Sequence, residues 1–363
     1  MAYLEDRIKK LQKLLKKLDL DGMLVYQGFN MDYLTGFTGG TGDGIVVVGP
    51  DSAQLITDAR YEDEYREALP ENVSFAVTRD YFGQAVDTVQ KMGVKKLGFE
   101  ADMPYNVFEY FDENLPGDVS FDAVPEAIEA LREAKDDLEI KALKAATAAS
   151  VRAFNDLLKF IKPGQTELEV ANELDRLQKH YGGSKPSFDT IVASGARAAL
   201  PHGSATDKVL EPGDLVTIDF GYYLDGYTSD ITRTIAIGEI DPELKKIYEI
   251  VKQANIDAID IIKPGISTDE IDRVARDYIT EHGYGEQYKH STGHGVGLNI
   301  HEGPVLRSSA GDEVQVGNLL TIEPGIYLAG KGGVRIEDDI LVTPEGHENL
   351  TAGITKDLVV IPA

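Results

Sequence analysis

With no cysteine anywhere in its 363 residues, this chain can form neither a disulfide nor a thiolate metal site, and a reducing compartment is its natural setting. Any metal it holds must use oxygen or imidazole ligands. Basic charge is also scarce. The 36 Lys and Arg stand against 62 Asp and Glu, a formal charge of -26, which disfavours nucleic acid and anionic membrane as partners. No run approaches the ~20 apolar residues that span a bilayer. Residues 1–10 alternate in charge where a secretion signal would carry an apolar core. The expectation is a soluble, cytoplasmic protein long enough for two domains.

What the chain does contain is a duplication. Residues 215–224 (LVTIDFGYYL) and 319–328 (LLTIEPGIYL) share most of their residues at identical offsets, and each carries one carboxylate at the same place, Asp219 and Glu323. Both runs are β-branched and apolar, which predicts buried strands. Burying an ionised carboxylate costs several kcal/mol unless it is paired or binds a metal, so two on duplicated strands need a common partner. Upstream, Ile-Lys-Pro-Gly recurs at 161–164 and 262–265, 101 residues apart, each time followed by a helical stretch ending near Gly182 or Gly283. Two α/β halves about a pseudo-two-fold axis follow, with Asp219 and Glu323 meeting near it.

The region ahead of the duplication reads as a small α/β domain. Leu4, Ile8, Leu11, Leu15 and Leu18 recur at helical spacing and predict an amphipathic helix. Apolar runs at 23–26, 45–48, 54–57, 74–77 and 97–99 predict strands, interleaved with helical stretches at 61–69, 84–92 and 105–114. The glycines of 39–44 lead into a strand and lack a Gly-Lys-Ser/Thr ending, so they read as a turn rather than a phosphate loop. Residues 126–149 predict one long helical stretch carrying a boundary near 130, which divides the chain into domains 1–130 and 131–363. Residues 188–194 predict a strand and 195–204 a loop presenting His202.

Asp225-Gly226 between two β-rich runs signals a two-residue hairpin turn. In that register Asp219 lies opposite Thr232, and Asp230 faces the same side, diagonal to Asp219. The second half repeats the plan with Glu323 and Glu337, its register left open by the longer loop. By alternation Arg335 shares the face of Glu337, either as part of a site or in a structural salt bridge. Between the hairpins three of the chain's seven histidines, His290, His294 and His301, sit among glycines. Four carboxylates and one histidine make a set suited to two divalent ions; Mn²⁺ fits best, with Co²⁺, Zn²⁺ or Mg²⁺ as alternatives. Taken singly, Asp230 could be a strand-end residue and Glu337, followed by Asp338 and Asp339, part of a solvated acidic edge.

At 200–203 (LPHG), 217–221 (TIDFG), 229–234 (SDITRT), 290–295 (HSTGHG), 322–325 (IEPG) and 334–338 (VRIED) the chain resembles the pita-bread metallopeptidases, the family of aminopeptidase P, prolidase and methionine aminopeptidase, over essentially its whole length. The resemblance implies an α/β (α+β) fold, with a creatinase-like amino-terminal α/β domain followed by a pseudo-two-fold pita-bread catalytic domain. It implies Asp219, Asp230, His294, Glu323 and Glu337 as metal ligands. Glu323, His202 and His301 become catalytic, and His202, His290, His301 and Arg335 contact substrate. The activity implied is hydrolysis of the bond between an amino-terminal residue and a following proline, by a hydroxide held between two metals. Small peptides with proline at the second position are the substrates, and a homodimer or higher homo-oligomer is expected.

The amino-terminal domain, which methionine aminopeptidases lack, points to proline. Residues 33–37 (YLTGF) and 57–61 (TDARY) look closer to bacterial aminopeptidase P than to prolidase, so aminopeptidase P is the first reading and Xaa-Pro dipeptidase the alternative. Outside the class stand a non-catalytic pita-bread binding protein and a metal-independent creatinase, both disfavoured by a complete ligand set.

Overall fold

A computed structural model describes residues 2–363. The chain divides into two compact units, the first running to Arg132 and the second from Glu133 to Ala363. Among the described residues no helix is long and apolar enough to cross a membrane.

The first unit is a six-stranded sheet. Its strands are β1 (Gly22–Val25), β2 (Gly44–Val48), β3 (Ala53–Thr57), β4 (Val73–Val77), β5 (Lys96–Glu100) and β6 (Ser120–Val124), in the order β4-β3-β2-β1-β5-β6. The helix Ala2–Lys17 buries Leu4, Ile8, Leu11 and Leu15. Helices Tyr81–Met92 and Tyr105–Asn114 bury Val86, Val89 and Phe111 against Leu24, Ile45, Val47 and Ile56. Five strands match the apolar runs of the sequence. The sixth, β6, escaped that reading because it is a sheet edge of Ser-Phe-Asp-Ala-Val in which no residue is buried, leaving no continuous apolar run.

The long helix expected over 126–149 is broken. Helices Glu129–Glu133 and Asp137–Leu157 are separated by an N-cap at Asp136. Its carboxylate accepts from the N–H of Leu138 and of Glu139, while the Glu139 carboxylate accepts from the N–H of Asp136. This reciprocal capping starts a new helix inside a stretch whose composition favours helix throughout.

The second unit shows the duplication directly. Helix Asp137–Leu157 leads through a turn at Gly164 (φ 90) to helix Glu167–His180. Helix Pro242–Asp260 leads through Gly265 (φ 83) to helix Thr268–Glu281. Each turn glycine donates its N–H to the next loop, Gly164 to Leu210 O at 2.9 Å and Gly265 to Val314 O at 2.8 Å. The strands of the first half are β7 (Lys185–Pro186), β8 (Ile191–Ser194), β9 (Leu215–Phe220), β10 (Tyr222–Tyr223) and β11 (Ile231–Ile237). Those that follow are β12 (Gly293–Gly295), β13 (Glu302–Leu306), β14 (Leu319–Ile322), β15 (Gly325–Leu328), β16 (Gly332–Arg335), β17 (Asp338–Thr343), β18 (Gly346–Asn349) and β19 (Val360–Ile361).

They form a four-stranded sheet β19-β11-β9-β8, a five-stranded sheet β13-β12-β14-β17-β18 and two short pairs, β7 with β10 and β15 with β16. The antiparallel triplets β8-β9-β11 and β12-β14-β17 are equivalent. The helices of each half cover one face of its sheet. Ile218, Phe220, Ile231 and Ile235 pack with Phe154 and Leu174 in the first half, and Leu320, Ile322, Ile340 and Val342 with Ala254 and Ile271 in the second. Strand alternation then sends Asp219 to the other face.

The hairpin turn is as the sequence predicts. Asp225 and Gly226 both adopt positive φ (51 and 84), as a type I′ turn requires, and Leu224 bridges Tyr227. The register that follows pairs Asp219 with Thr232. Gly226→Ala places a Cβ in the left-handed region and is expected to cost about 1–2 kcal/mol. A fall in the urea midpoint at unchanged slope checks this; an unchanged midpoint would show that the turn does not hold the register.

Candidate metal centre

The five expected ligands come from three strand systems. Asp219 lies on β9 opposite Thr232, and Asp230 immediately precedes β11. In the second half Ile322 pairs with Asp338 and Gly325 with Arg335, so Glu323 and Glu337 face one another in the gap between two strand pairs. His294 is the centre of β12. Its neighbours must be glycine, because a Cβ on Gly293 would lie 1.8 Å from Thr321 O and one on Gly295 2.0 Å from Gly303 O. The close approach they permit brings the imidazole to the carboxylates.

His294 Nδ1 donates to Gly295 O at 3.0 Å, which leaves Nε2 as a lone-pair donor 3.5 Å from Asp230 Oδ2 and 3.6 Å from Glu323 Oε1. Burial, with His301 beside it, lowers the His294 pKa to about 4, so the ring is neutral and ligand-ready at pH 7. Asp230, His294 and Glu337 each offer an atom within 4.8 Å of the others, and all three are buried.

The carboxylates are in electrostatic conflict. Burial raises Asp230 well above the usual range, and Glu337, Asp219 and Glu323 add to the rise. Glu337 is raised by burial and then by Glu323 and Asp219. Burial likewise raises Glu323, although Arg335 opposes it. Asp219 Oδ1 is buried with no hydrogen-bond partner among the described residues. Behind the cluster Asp339 Oδ2 accepts from the N–H of Asp230 (3.3 Å) and Thr147 Oγ1 (3.0 Å). Glu337, Asp338 and Asp339 are all buried, so the solvated acidic edge that their spelling allows does not form. An oxygen-rich set with one neutral imidazole, an orphaned carboxylate oxygen and mutually repelling neighbours is what divalent cations neutralise, and these residues fit them.

Arg335 lies inside the cluster. It donates to Asp219 Oδ2 at 2.6 Å, to Thr232 Oγ1 at 3.1 Å and to the hydroxyl of Tyr327 at 2.7 Å. Thr232 in turn donates to Glu337 Oε2 at 2.6 Å. The Tyr327 hydroxyl meets His290 Nε2 at 2.8 Å, and Nδ1 of that ring donates to Ser291 O at 2.8 Å. His301 packs edge-on to His294, centroids 4.5 Å apart. His202 is exposed and close enough to His290 and His301 to oppose their protonation. Tyr327 was not singled out in the sequence, yet a signal was there: it sits at the same offset as Tyr223 in the duplicated ten-residue stretch. Burial pushes it up to about 12, so it remains a proton donor.

Residues 141–344 match the model of metallopeptidase family M24, and residues 7–134 match the Creatinase/Prolidase N-terminal domain. A curated relative, the Xaa-Pro dipeptidase of Pyrococcus horikoshii, is 39% identical over 352 residues, covering 97% of this chain and 98% of its own. Among solved structures, the Xaa-Pro dipeptidase from Bacillus anthracis has a TM-score of 0.94 at 42% identity, covering 99% of this chain and 100% of the other. The X-Pro aminopeptidase from Thermotoga maritima has a TM-score of 0.86 at 35% identity, covering 96% and 100%.

The raised carboxylates hold protons more tightly in the folded than in the unfolded chain, where Asp and Glu titrate near 4. Without metal, stability is therefore lost as pH rises from about 4 through the folded value, about 8 for Glu323. A divalent ion competes with those protons. Mn²⁺ added to chelated protein is expected to raise Tm little near pH 5 and by several degrees at pH 8, since ligand at 100 times its Kd contributes about 2.7 kcal/mol. Scanning calorimetry across that range checks it, and a Tm indifferent to Mn²⁺ at pH 8 counts against the site.

Proposed function

The chain belongs to metallopeptidase family M24, with a Creatinase/Prolidase N-terminal domain ahead of the M24 region, and from that premise we propose that it is an Xaa-Pro dipeptidase. The observation that carries the reading is the convergence of Asp219, Asp230, His294, Glu323 and Glu337 around a buried centre short of positive charge. In this reading residues 1–130 form the creatinase-like domain and 131–363 the catalytic domain. The five residues hold two divalent ions, with Mn²⁺ the best match to their oxygen-rich donors. Such ions supply a Lewis acid and lower the pKa of the attacking water.

The chain's own residues do the rest. Glu323, partly exposed and with its pKa raised by burial, takes the proton released as water adds to the carbonyl carbon before proline. It returns that proton to the proline nitrogen as the C–N bond breaks. His301, its pKa lowered by burial, is neutral at pH 7 and offers an N–H to the oxygen that gains charge. His202 and His290 line the proline side. Arg335 holds Asp219 and, through Tyr327, sets the ring of His290. The Xaa-Pro bond has no N–H to donate and a fixed φ, so recognition rests on shape and on the substrate termini.

Two lines favour the dipeptidase over the aminopeptidase P reading that the amino-terminal motifs first favour. The Pyrococcus and Bacillus anthracis proteins named as dipeptidases are 39% and 42% identical to the chain, against 35% for the Thermotoga aminopeptidase, and the anthracis structure has the higher TM-score. The aminopeptidase keeps a place as second reading because its structure also covers 96% of this chain.

The deciding experiment is release of the amino-terminal residue from Xaa-Pro dipeptides and Xaa-Pro tripeptides by chelated protein, before and after Mn²⁺, with an Xaa-Ala control. Metal-dependent turnover confined to dipeptides is expected; faster turnover of tripeptides would make it an aminopeptidase P. No turnover with any metal would sink both. Glu323→Gln is expected to lower kcat by at least about 100-fold, the scale of lost general acid-base catalysis.

A further inference from the structure

We propose that Glu167 and Asp272, two carboxylates on the outer helices of the catalytic unit, are positioning residues, each clamping the loop that presents one of the substrate histidines. The proposal rests on the peptidase reading above. Glu167 is the first residue of helix Glu167–His180 and is fully buried. It accepts from Ser194 N (2.7 Å), Ser194 Oγ (2.8 Å), Thr206 N (3.0 Å), Thr206 Oγ1 (2.7 Å) and Arg197 Nε (3.1 Å). Ser194 and Thr206 stand at the two ends of residues 194–206, the loop with Arg197 and His202 inside it.

Arg197 Nη2 also donates to Ser204 O at 2.6 Å, tying the loop across itself. On its far side the loop rests on β16, the strand of Arg335: a Cβ on Gly333 would lie 2.2 Å from Ala198 O. The His202 ring has no hydrogen bond of its own among the described residues, so its position depends on the loop.

Asp272, also fully buried, does the same in the second half. It accepts from Arg276 (2.9 and 2.8 Å), Thr292 Oγ1 (2.8 Å) and Ser308 Oγ (3.0 Å), and Arg276 Nη2 donates to His290 O at 2.8 Å. The two carboxylates occupy different turns of their helices, the first residue in one and the fifth in the other, so the duplication alone does not produce the pair. A buried carboxylate left unpaired is costly, and here every donor that offsets the cost, Ser308 apart, belongs to a histidine loop or is an arginine in or bonded to one.

The test uses full-length protein loaded with Mn²⁺. Glu167→Gln and Asp272→Asn keep shape and lose charge, Thr206→Val removes one donor and Thr206→Ser retains it. Glu169→Ala, which loses the capping box on the same helix, is the control for stability alone. For the Xaa-Pro peptide that the wild type cleaves, KM is expected to rise about tenfold in Glu167→Gln and Asp272→Asn, with kcat within about threefold and the Mn²⁺ shift in Tm retained. Thr206→Val should share part of the rise, Thr206→Ser should not, and Glu169→Ala should keep the wild-type KM whatever its Tm. If Glu167→Gln does not fold, the Thr206 pair decides. Unchanged KM in the folded clamp variants, or an equal rise in Glu169→Ala, overturns the proposal. A wild type that binds Mn²⁺ but cleaves no Xaa-Pro peptide is a separate result: it overturns the peptidase reading, and the clamps' role with it.

Discussion

The repulsion among Asp219, Asp230, Glu323 and Glu337 is the constraint around which the catalytic unit is built. One guanidinium, Arg335, stands inside the cluster against four carboxylates, and a fifth, Asp339, sits directly behind. Left alone, this arrangement would force the hairpins apart. Arg233 opposes that from the back of the sheets. It is 2% exposed and donates to the carbonyls of Thr232 and Glu337, one from each hairpin, while pairing with Asp338 at 2.7 Å. Burial would raise Asp338, but Arg233 and Lys356 hold it well below the usual carboxylate range. The front of the hairpins is starved of positive charge and the back is supplied with it, which leaves room for cations in front only.

The parts of this plan that were legible in the sequence are those written in local chemistry. Asp225-Gly226 fixed a turn, the turn fixed a register, and the register put Asp219 opposite Thr232, because side-chain facing in a hairpin follows from the turn alone. The recurring Lys-Pro-Gly turns likewise located both helix pairs. What escaped were features set by tertiary packing. Strand β6 is an exposed edge, and the break at Asp136 lies in a stretch that favours helix on every local count. Glu167 and Asp272 were invisible among 62 acidic residues, since a carboxylate on a polar helix reads as solvated until the loop that covers it is in place. The duplication led to the expectation that Glu323 and Glu337 repeat the first pair, but their register was not legible, because the loop between them does not define one by length.

The two halves are alike in backbone and unlike in charge, and the difference explains Arg335. Asp219 and Glu323 share an offset in the duplicated stretch. The residue facing Asp219 is Thr232, while the pairings on either side of Glu323 make Glu337 its facing residue, so Thr232 and Glu337 hold equivalent places. Two residues before each stand Asp230 and Arg335, equivalent in turn. Strict two-fold repetition would have set carboxylates at all six positions. Instead each half supplies two, at different places on the second strand. The positions vacated carry a hydroxyl and a guanidinium, and these join the halves: Thr232 donates to Glu337 at 2.6 Å, and Arg335 donates to Asp219 at 2.6 Å. Both bonds run from the residue that broke the symmetry to a carboxylate of the other half. A charge-assisted bond of this kind stabilises the ionised acid it touches. Staggering the ligands therefore lowers the number of buried like charges and turns each omission into a tether across the axis. Duplication supplies the scaffold, and departures from it make the centre compatible with folding.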